Sequence, residues 1–257
     1  MNPLQESALP PDAAAPSGAG PAIDKGKVAP WWHTIVFVLA MAGYGYLELR
    51  YPPSERIHSG EHARLAMYGL TIAFEFVMLG YVWFLGLRLQ GKKLREIVGG
   101  KWEKFDDLAI DFGIAFLFWM ACLVILAVVQ HLLHNKVSGL ERLKFLFPHS
   151  ILDGIVWVVL ACSAGFCEEI VFRGYLQRQF LAATGNRWVA VVLQAIVFGW
   201  CHVYQSLKNA IVITVYGVLF GILAVMRGSL RPGMLQHTGQ DTLAGIAGAL
   251  LSKYKYI

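Results

Sequence analysis

The segment Ser163–Leu176 reads SAGFCEEIVFRGYL and carries Glu168, Glu169 and Arg173 inside a long apolar stretch. Ionisable side chains are costly in lipid, so charged residues within apolar segments mark a candidate functional site. The 257-residue chain is 56% hydrophobic and only 15% charged, which is outside the usual range of soluble domains. We therefore expect an integral membrane protein with a polar site in its C-terminal half.

Seven apolar stretches have roughly the length of a membrane-spanning helix. An eighth span is expected if one of them consists of two half-helices. Their apolar runs are continuous and do not alternate in polarity, which favours helices over a β-barrel. The sequence predicts an all-α, polytopic transmembrane helix bundle with seven to eight spans, at about residues 31–49, 65–87, 112–133, 151–167, 188–203, 209–226 and 233–251.

Residues 1–30 are rich in Ala, Pro and Gly and predict a disordered tail, whereas residues 31–257 predict a transmembrane helical domain. The positive-inside rule places the most basic loop, and with it the N-terminus, in the cytoplasm. The net charge of +5 has the same topological origin, so the bilayer is the expected partner and nucleic acid is not. The basic loop contains Arg88, Lys92, Lys93, Arg95, Lys101 and Lys104.

Helical spacing separates the roles of the two adjacent glutamates. Residues four apart share a helix face, so Glu169 and Arg173 are expected to form an ion pair. Glu168 lies about 100° further round the helix and is free to face another group. A solvated helix end that carries all three charges is the alternative.

Two more polar clusters follow, Phe198-x-x-x-His202 and His237-x-x-x-Asp241. A lone histidine such as His202 after an apolar run is often a packing or interfacial residue. His237 and Asp241 share a helix face in the most polar stretch of any predicted span. That stretch indicates a cavity lining and also contains Gln236, Thr238, Gln240 and Thr242.

A carboxylate beside imidazoles in a water-poor pocket has the parts of a general base and its assistants. The same groups suit a zinc site, because two histidines and a glutamate with one open position form a catalytic zinc set. Glu168, His202 and His237 are the candidate ligands. The residues alone leave both possibilities open.

Other ionisable residues are weaker candidates. Glu75 lies between two phenylalanines in an apolar span, where it is expected to pair with a polar group of another span or to line a substrate path. His58 and His62 are expected in a solvated loop. His131 and His134 end the third predicted span and indicate the membrane interface.

The three clusters, in this order and on apolar segments, resemble the signatures of the CAAX-protease and bacteriocin-processing (CPBP) intramembrane peptidases, which are related to the type II CAAX prenyl endopeptidases. The resemblance covers about residues 150–250, the expected peptidase core. It implies that Glu168 activates water, that His202 positions it, and that His237 and Asp241 stabilise the oxyanion. Glu169, Arg173 and Phe198 would be supporting residues.

Asp241 departs from the commoner pattern, in which asparagine is usual in the prenyl endopeptidases. An ionised aspartate cannot donate a hydrogen bond, so Asp241 must be protonated, orient His237, or bind a metal. The resemblance is compatible with a metal-dependent reaction and with a metal-free one. We favour a reaction without a required metal, with Zn²⁺ as the alternative.

The sequence thus predicts a glutamate-dependent intramembrane endopeptidase that cleaves a membrane-embedded or lipidated protein or peptide. A proton-coupled transporter and a non-catalytic membrane scaffold of the same fold are the alternatives. Counting along the spans puts His202 at the opposite side from Glu168 and His237. A common site therefore requires a helix from about residue 151 to 180, or a broken helix near Gly185 or Gly199. We favour the long helix.

Overall fold

The computed structural model describes residues 26–53, 61–134 and 144–253. In these ranges the chain forms eight helices, besides short 3-10 turns, and no strand, so the all-α prediction is confirmed. Two helices contain a π-helical segment. The helices are α1 (Trp31–Arg50), α2 (Glu61–Gly80, extended by the π-helical Tyr81–Leu87 and the 3-10 turn Arg88–Gln90), α3 (Leu94–Val98), α4 (Phe105–Leu132), α5 (Ile151–Thr184), α6 (Arg187–Trp200), α7 (Leu207–Arg227) and α8 (Arg231–Lys253).

Four of these helices, α2, α4, α5 and α7, are long and apolar enough to cross a membrane. Helix α6 has only 14 residues, or roughly 21 Å at about 1.5 Å per residue, which is shorter than the bilayer core. The predicted span at 188–203 is therefore a shorter apolar helix, Arg187–Trp200, in the structure. The total of seven to eight spans stays a prediction.

Helix α5 is one continuous helix of 34 residues. It begins after Ser150, whose hydroxyl accepts a hydrogen bond from the backbone N–H of Asp153 at 3.1 Å, as an N-cap residue does. It becomes π-helical over Glu169–Leu176 and continues to Thr184. The helix thus runs well past Arg173, as the long-helix interpretation requires. π-Helical segments of this kind often occur at functional sites.

Small residues bring α5 and α8 close together. A Cβ added at Gly165 would lie 2.3 Å from Oγ1 of Thr238, and one at Gly245 would lie 2.0 Å from the indole nitrogen of Trp157. Only glycine allows such an approach, which is the usual device of packing between membrane helices. The contact carries the two glutamates of α5 to the face of α8 that holds His237.

Buried ion pairs join the helices at two other places. Asp111 of α4 lies 2.8 Å from Nε of Arg231 and accepts hydrogen bonds from Arg227 at 3.1 Å and from the Trp102 indole at 2.9 Å. In the other pair, Arg64 of α2 donates to Asp153 of α5 at 3.0 Å. Neither pair was predicted from the sequence, although each aspartate is a charge beside or within an apolar helix.

The segment before α1 is held against the second half of α5. The side-chain oxygen of Gln179 accepts hydrogen bonds from the backbone N–H groups of Val28 at 2.7 Å and Ala29 at 3.2 Å. Its amide nitrogen donates to the Ala29 carbonyl at 2.9 Å. The start of α1, the end of α5 and the basic loop after α2 therefore lie at the same end of the bundle, since Arg178 of α5 also donates to the carbonyl of Ile97.

We predict that Asp111→Asn lowers the free energy of unfolding by about 3 kcal/mol, because it removes a fully buried carboxylate charge that two arginines share. The matched control is Glu103→Gln, which removes a carboxylate that is 68% exposed and 3.9 Å from Arg95. A surface pair contributes less than about 1 kcal/mol. Denaturant unfolding in detergent micelles measures the free energy of unfolding of both variants. Equal values for the two variants would contradict the prediction.

Candidate active site

Glu169 contacts two of the predicted site residues at once. It is almost fully buried, and its Oε1 lies 3.0 Å from Nη1 of Arg173 and 3.1 Å from Nδ1 of His237. The expected ion pair with Arg173 is present. The contact with His237 was not expected, because helical spacing within α5 carries no information about residues of α8.

Arg173 is 2% exposed and lies between two aromatic rings. Its guanidinium carbon is 4.4 Å from the ring centre of Phe198 and 5.0 Å from that of Phe220. Cation–π attraction and the carboxylate of Glu169 together compensate for the loss of water around the guanidinium. Phe198 thereby supports the buried arginine on one side and forms part of a cavity wall on the other.

His237 is oriented by Glu169. A carboxylate only accepts hydrogen bonds, so Nδ1 of His237 carries the proton in this contact. The other ring nitrogen, Nε2, lies 3.7 Å from Oε2 of Glu168 and 3.6 Å from Oδ2 of Asp241. These distances are too long for hydrogen bonds but short enough for electrostatic attraction. Nε2 therefore faces a space between two carboxylates.

His202 is oriented in the same way by a different acceptor. Its Nδ1 lies 2.8 Å from the carbonyl oxygen of Phe198, which can only accept, so Nε2 is left to face the cavity. At about 1.5 Å per residue, His202 is roughly 22 Å from the start of α6 at Arg187, and Glu168 is roughly 24 Å from the end of α5 at Thr184. The short helix and the long helix thus place the two residues at similar depth.

Glu168, His202, His237 and Asp241 line one cavity of about 520 Å³. Glu75 lines it too, and Ser163 donates a hydrogen bond to the Glu75 carboxylate at 2.5 Å. The expected pairing of Glu75 with a polar group of another span is therefore confirmed, and its place on a substrate path stays a prediction. Among the described lining residues there are three carboxylates and two histidines but no lysine or arginine.

Tryptophans of other helices fix the polar face of α8. The Trp157 indole donates to the backbone carbonyl of Asp241 at 2.8 Å, and the Trp119 indole donates to the side chain of Gln240 at 2.8 Å. The sequence analysis did not identify either indole as part of the site. No local signal marks them, because an indole in an apolar span is common whether or not it has a polar partner.

The other histidine candidates lie elsewhere. His62 is at the start of α2, His131 is in the last turn of α4 and His134 follows that helix. None of these three is among the residues that line the cavity. His58 falls outside the described residues, so the expectation of a solvated loop there stays a prediction.

The candidate zinc ligands do not form a metal site in this arrangement. Among the residues described, no three His, Cys, Asp or Glu side chains are grouped so that they could hold a metal ion. Whether the reaction requires Zn²⁺ stays a prediction.

These features define a class of protein: a helical membrane protein with an acidic and histidine-containing cavity enclosed by apolar helices. Residues 150–243 match the family model of the Rce1-like proteins, described as type II CAAX prenyl endopeptidase Rce1-like. The matched segment comprises α5, α6, α7 and part of α8, and it confirms the resemblance to the CAAX proteases. Comparisons with curated proteins and with solved structures give no match.

The match shows that residues 150–243 are similar to the type II CAAX prenyl endopeptidases, and the four long apolar helices indicate an integral membrane protein. Glu75 lies outside the matched segment, although it lines the same cavity. The cavity is thus built by the matched segment together with residues of α2, of α4 and of the segment before α5.

We predict that Glu169→Ala lowers the free energy of unfolding by about 3 kcal/mol, because it leaves Arg173 buried without a counter-charge. The neighbouring Glu168→Gln is the matched control. Glu168 is 15% exposed and makes no contact shorter than 3.7 Å with His237, so its neutralisation should cost less than about 1 kcal/mol. Thermal unfolding in detergent compares the stabilities of the two variants. A larger loss of stability in Glu168→Gln than in Glu169→Ala would contradict the assignment of Glu169 as the structural partner of Arg173.

Proposed function

We propose that this protein is an intramembrane endopeptidase that hydrolyses a peptide bond of a membrane-embedded or lipidated protein or peptide through a water activated by Glu168. The observation that carries the proposal is the convergence on one cavity of Glu168 from α5, His202 from the turn after α6, and His237 from α8. An apolar environment strengthens the electrostatic action of each of these groups.

In the proposed reaction a water molecule is held between Glu168 and Nε2 of His202, which can accept a hydrogen bond because Nδ1 is the donor to Phe198. Glu168 takes one proton from the water, and at the same time the water oxygen attacks the carbonyl carbon of the substrate. The tetrahedral intermediate then collapses, the C–N bond breaks, and Glu168 gives the proton to the leaving amine. Water and peptide bond are thus converted to one acid and one amine.

The negative oxygen of the intermediate needs donors on the opposite side of the carbonyl carbon. His237 can supply one from Nε2 when the ring carries both protons, a state that the carboxylate of Glu169 stabilises by Coulomb attraction. Asp241 can supply a second donor when it is protonated. In this proposal Glu169 does not touch the substrate and acts by orienting His237.

The cavity also suits a particular class of substrate. Besides its acidic groups it has walls of apolar side chains, which include Leu126, Leu160, Val212 and Ile213. Such walls accommodate an apolar or lipidated segment, and the carboxylates disfavour acidic side chains near the bond that is cut. We further propose that the protein is multi-pass with its N-terminus in the cytoplasm, on the side of the basic loop after α2.

The test of Glu168 uses the purified full chain in proteoliposomes, with farnesylated and unmodified peptides as substrates and mass spectrometry of the products. We expect Glu168→Gln to lower the cleavage rate between about 10²- and 10⁴-fold, the usual contribution of a general base. Glu103→Gln, on the exposed loop, should keep full activity. Full activity in Glu168→Gln would contradict the assignment, and a wild-type protein that cleaves no peptide but moves protons would favour the transporter.

Asp241 is tested separately, because three roles respond differently to Asp241→Asn. A protonated oxyanion donor is replaced by a permanent N–H donor, so activity should persist and extend to higher pH. An orienting role predicts a moderate loss, since the amide oxygen still accepts. We expect one of these two results. Stoichiometric zinc that disappears together with activity in Asp241→Asn would instead establish a metal-dependent reaction.

A further inference from the structure

Glu75 is the carboxylate of the described cavity lining that the proposed reaction leaves unused. It is 3% exposed and lies in α2, outside the family segment 150–243. A carboxylate within an apolar helix is costly, and such residues usually serve a substrate or ion path or pair with another group. The partners of Glu75 therefore indicate which of these roles it has.

The chain itself satisfies only one oxygen of Glu75. Oε2 accepts a hydrogen bond from the hydroxyl of Ser163 at 2.5 Å, whereas Oε1 accepts none from a residue that the structure describes. No lysine or arginine is among the described lining residues, and the arginine of α2, Arg64, is paired with Asp153. His237 is paired with Glu169. The cavity thus presents a buried negative charge without a cation of its own, which favours a positively charged group on a bound molecule.

The cavity wall around Glu75 leaves room for a long side chain. On α5 the lining residues at this level include Ala161 and Ala164, whose side chains are single methyl groups. On α2 the lining continues from Glu75 to Thr71 and Met67, which share its helix face at intervals of four residues. The aliphatic part of a lysine or arginine can lie along such a surface while its charged end reaches a carboxylate.

The contact with Ser163 also fixes how far Glu75 lies from the reacting group. Ser163 precedes Glu168 by five residues on α5, which is roughly 7.5 Å along the helix axis at about 1.5 Å per residue. An extended peptide advances about 3.3 Å per residue. Glu75 is therefore placed to meet a substrate side chain about two residues from the bond that Glu168 would attack.

We propose that Glu75 determines substrate specificity by binding the side chain of a lysine or arginine about two residues from the cleaved bond. The inference rests on the proposed function, because Glu168 defines where the bond lies. It narrows the substrate class to an apolar membrane segment that carries a basic residue near the cleavage site. Discrimination arises because a neutral side chain leaves the charge of Glu75 buried and unpaired, whereas a basic one neutralises it.

The test measures peptide binding to the full chain in lipid nanodiscs, in the Glu168→Gln background so that bound peptide is not cut. The probes are apolar peptides that differ only in one residue, lysine or glutamine, placed at successive positions. Mass spectrometry of wild-type digests locates the cleaved bond. We expect lysine to strengthen binding about tenfold over glutamine at one or two adjacent positions, about two residues from that bond.

Adding Glu75→Gln should reduce this lysine-to-glutamine affinity ratio to about one, because the negative charge that distinguishes the two peptides is removed. Ser163→Ala keeps the charge but removes the hydroxyl that holds it, and it should lower the ratio by about threefold. Glu103→Gln is the matched control, because it makes the same change in charge at a side chain that is 68% exposed, and its ratio should equal that of the background.

A ratio of about one in the background, or an equal preference for lysine at every position, would overturn the proposal. So would an unchanged ratio in folded Glu75→Gln or, where that variant does not fold, in Ser163→Ala. Failure of the proposed function looks different. A wild-type protein that cleaves none of the peptides contradicts the protease, whereas cleavage without a preference for lysine contradicts only the role of Glu75.

Discussion

The carboxylate of Glu169 connects the folding of this protein to the geometry of its site. Arg173 is buried among aromatic rings and needs a nearby negative charge, because an isolated charge in an apolar interior is strongly unfavourable. Glu169 supplies that charge, and the same carboxylate oxygen accepts a hydrogen bond from Nδ1 of His237. The interaction that makes the buried arginine tolerable therefore also sets the direction in which His237 faces.

Helix length determines the depth of the site. Helix α5 is long enough to carry Glu168 near its midpoint, and α6 is short enough to end, with His202, at a similar depth. Glycines at the contact between α5 and α8 then allow His237 to approach. Each histidine donates a hydrogen bond from Nδ1 to an acceptor within the protein and presents Nε2 to the cavity. Such a hydrogen bond commonly fixes the tautomer of a functional imidazole.

Opposite charges are separated within the bundle. The lining of the cavity that contains Glu168 includes three carboxylates and two histidines, whereas a pocket of about 240 Å³ at one end of the bundle has three arginines and one glutamate in its lining. Arg173 and the ring of Phe198 lie between them. This separation keeps each charge where it has either a partner or access to water.

Composition and the period of the apolar runs were sufficient to predict a helical membrane protein. The spacing of charged residues was sufficient to predict the pair Glu169–Arg173 and to identify the family segment, since these signals are local in the chain. The extent of α6, the contact between Glu169 and His237, and the ion pairs of Asp111 and Asp153 were decided by tertiary structure. Each of these features depends on which helices are neighbours. The neighbours are determined by close packing between segments that are far apart in sequence, and the local spacing of residues carries no information about that packing.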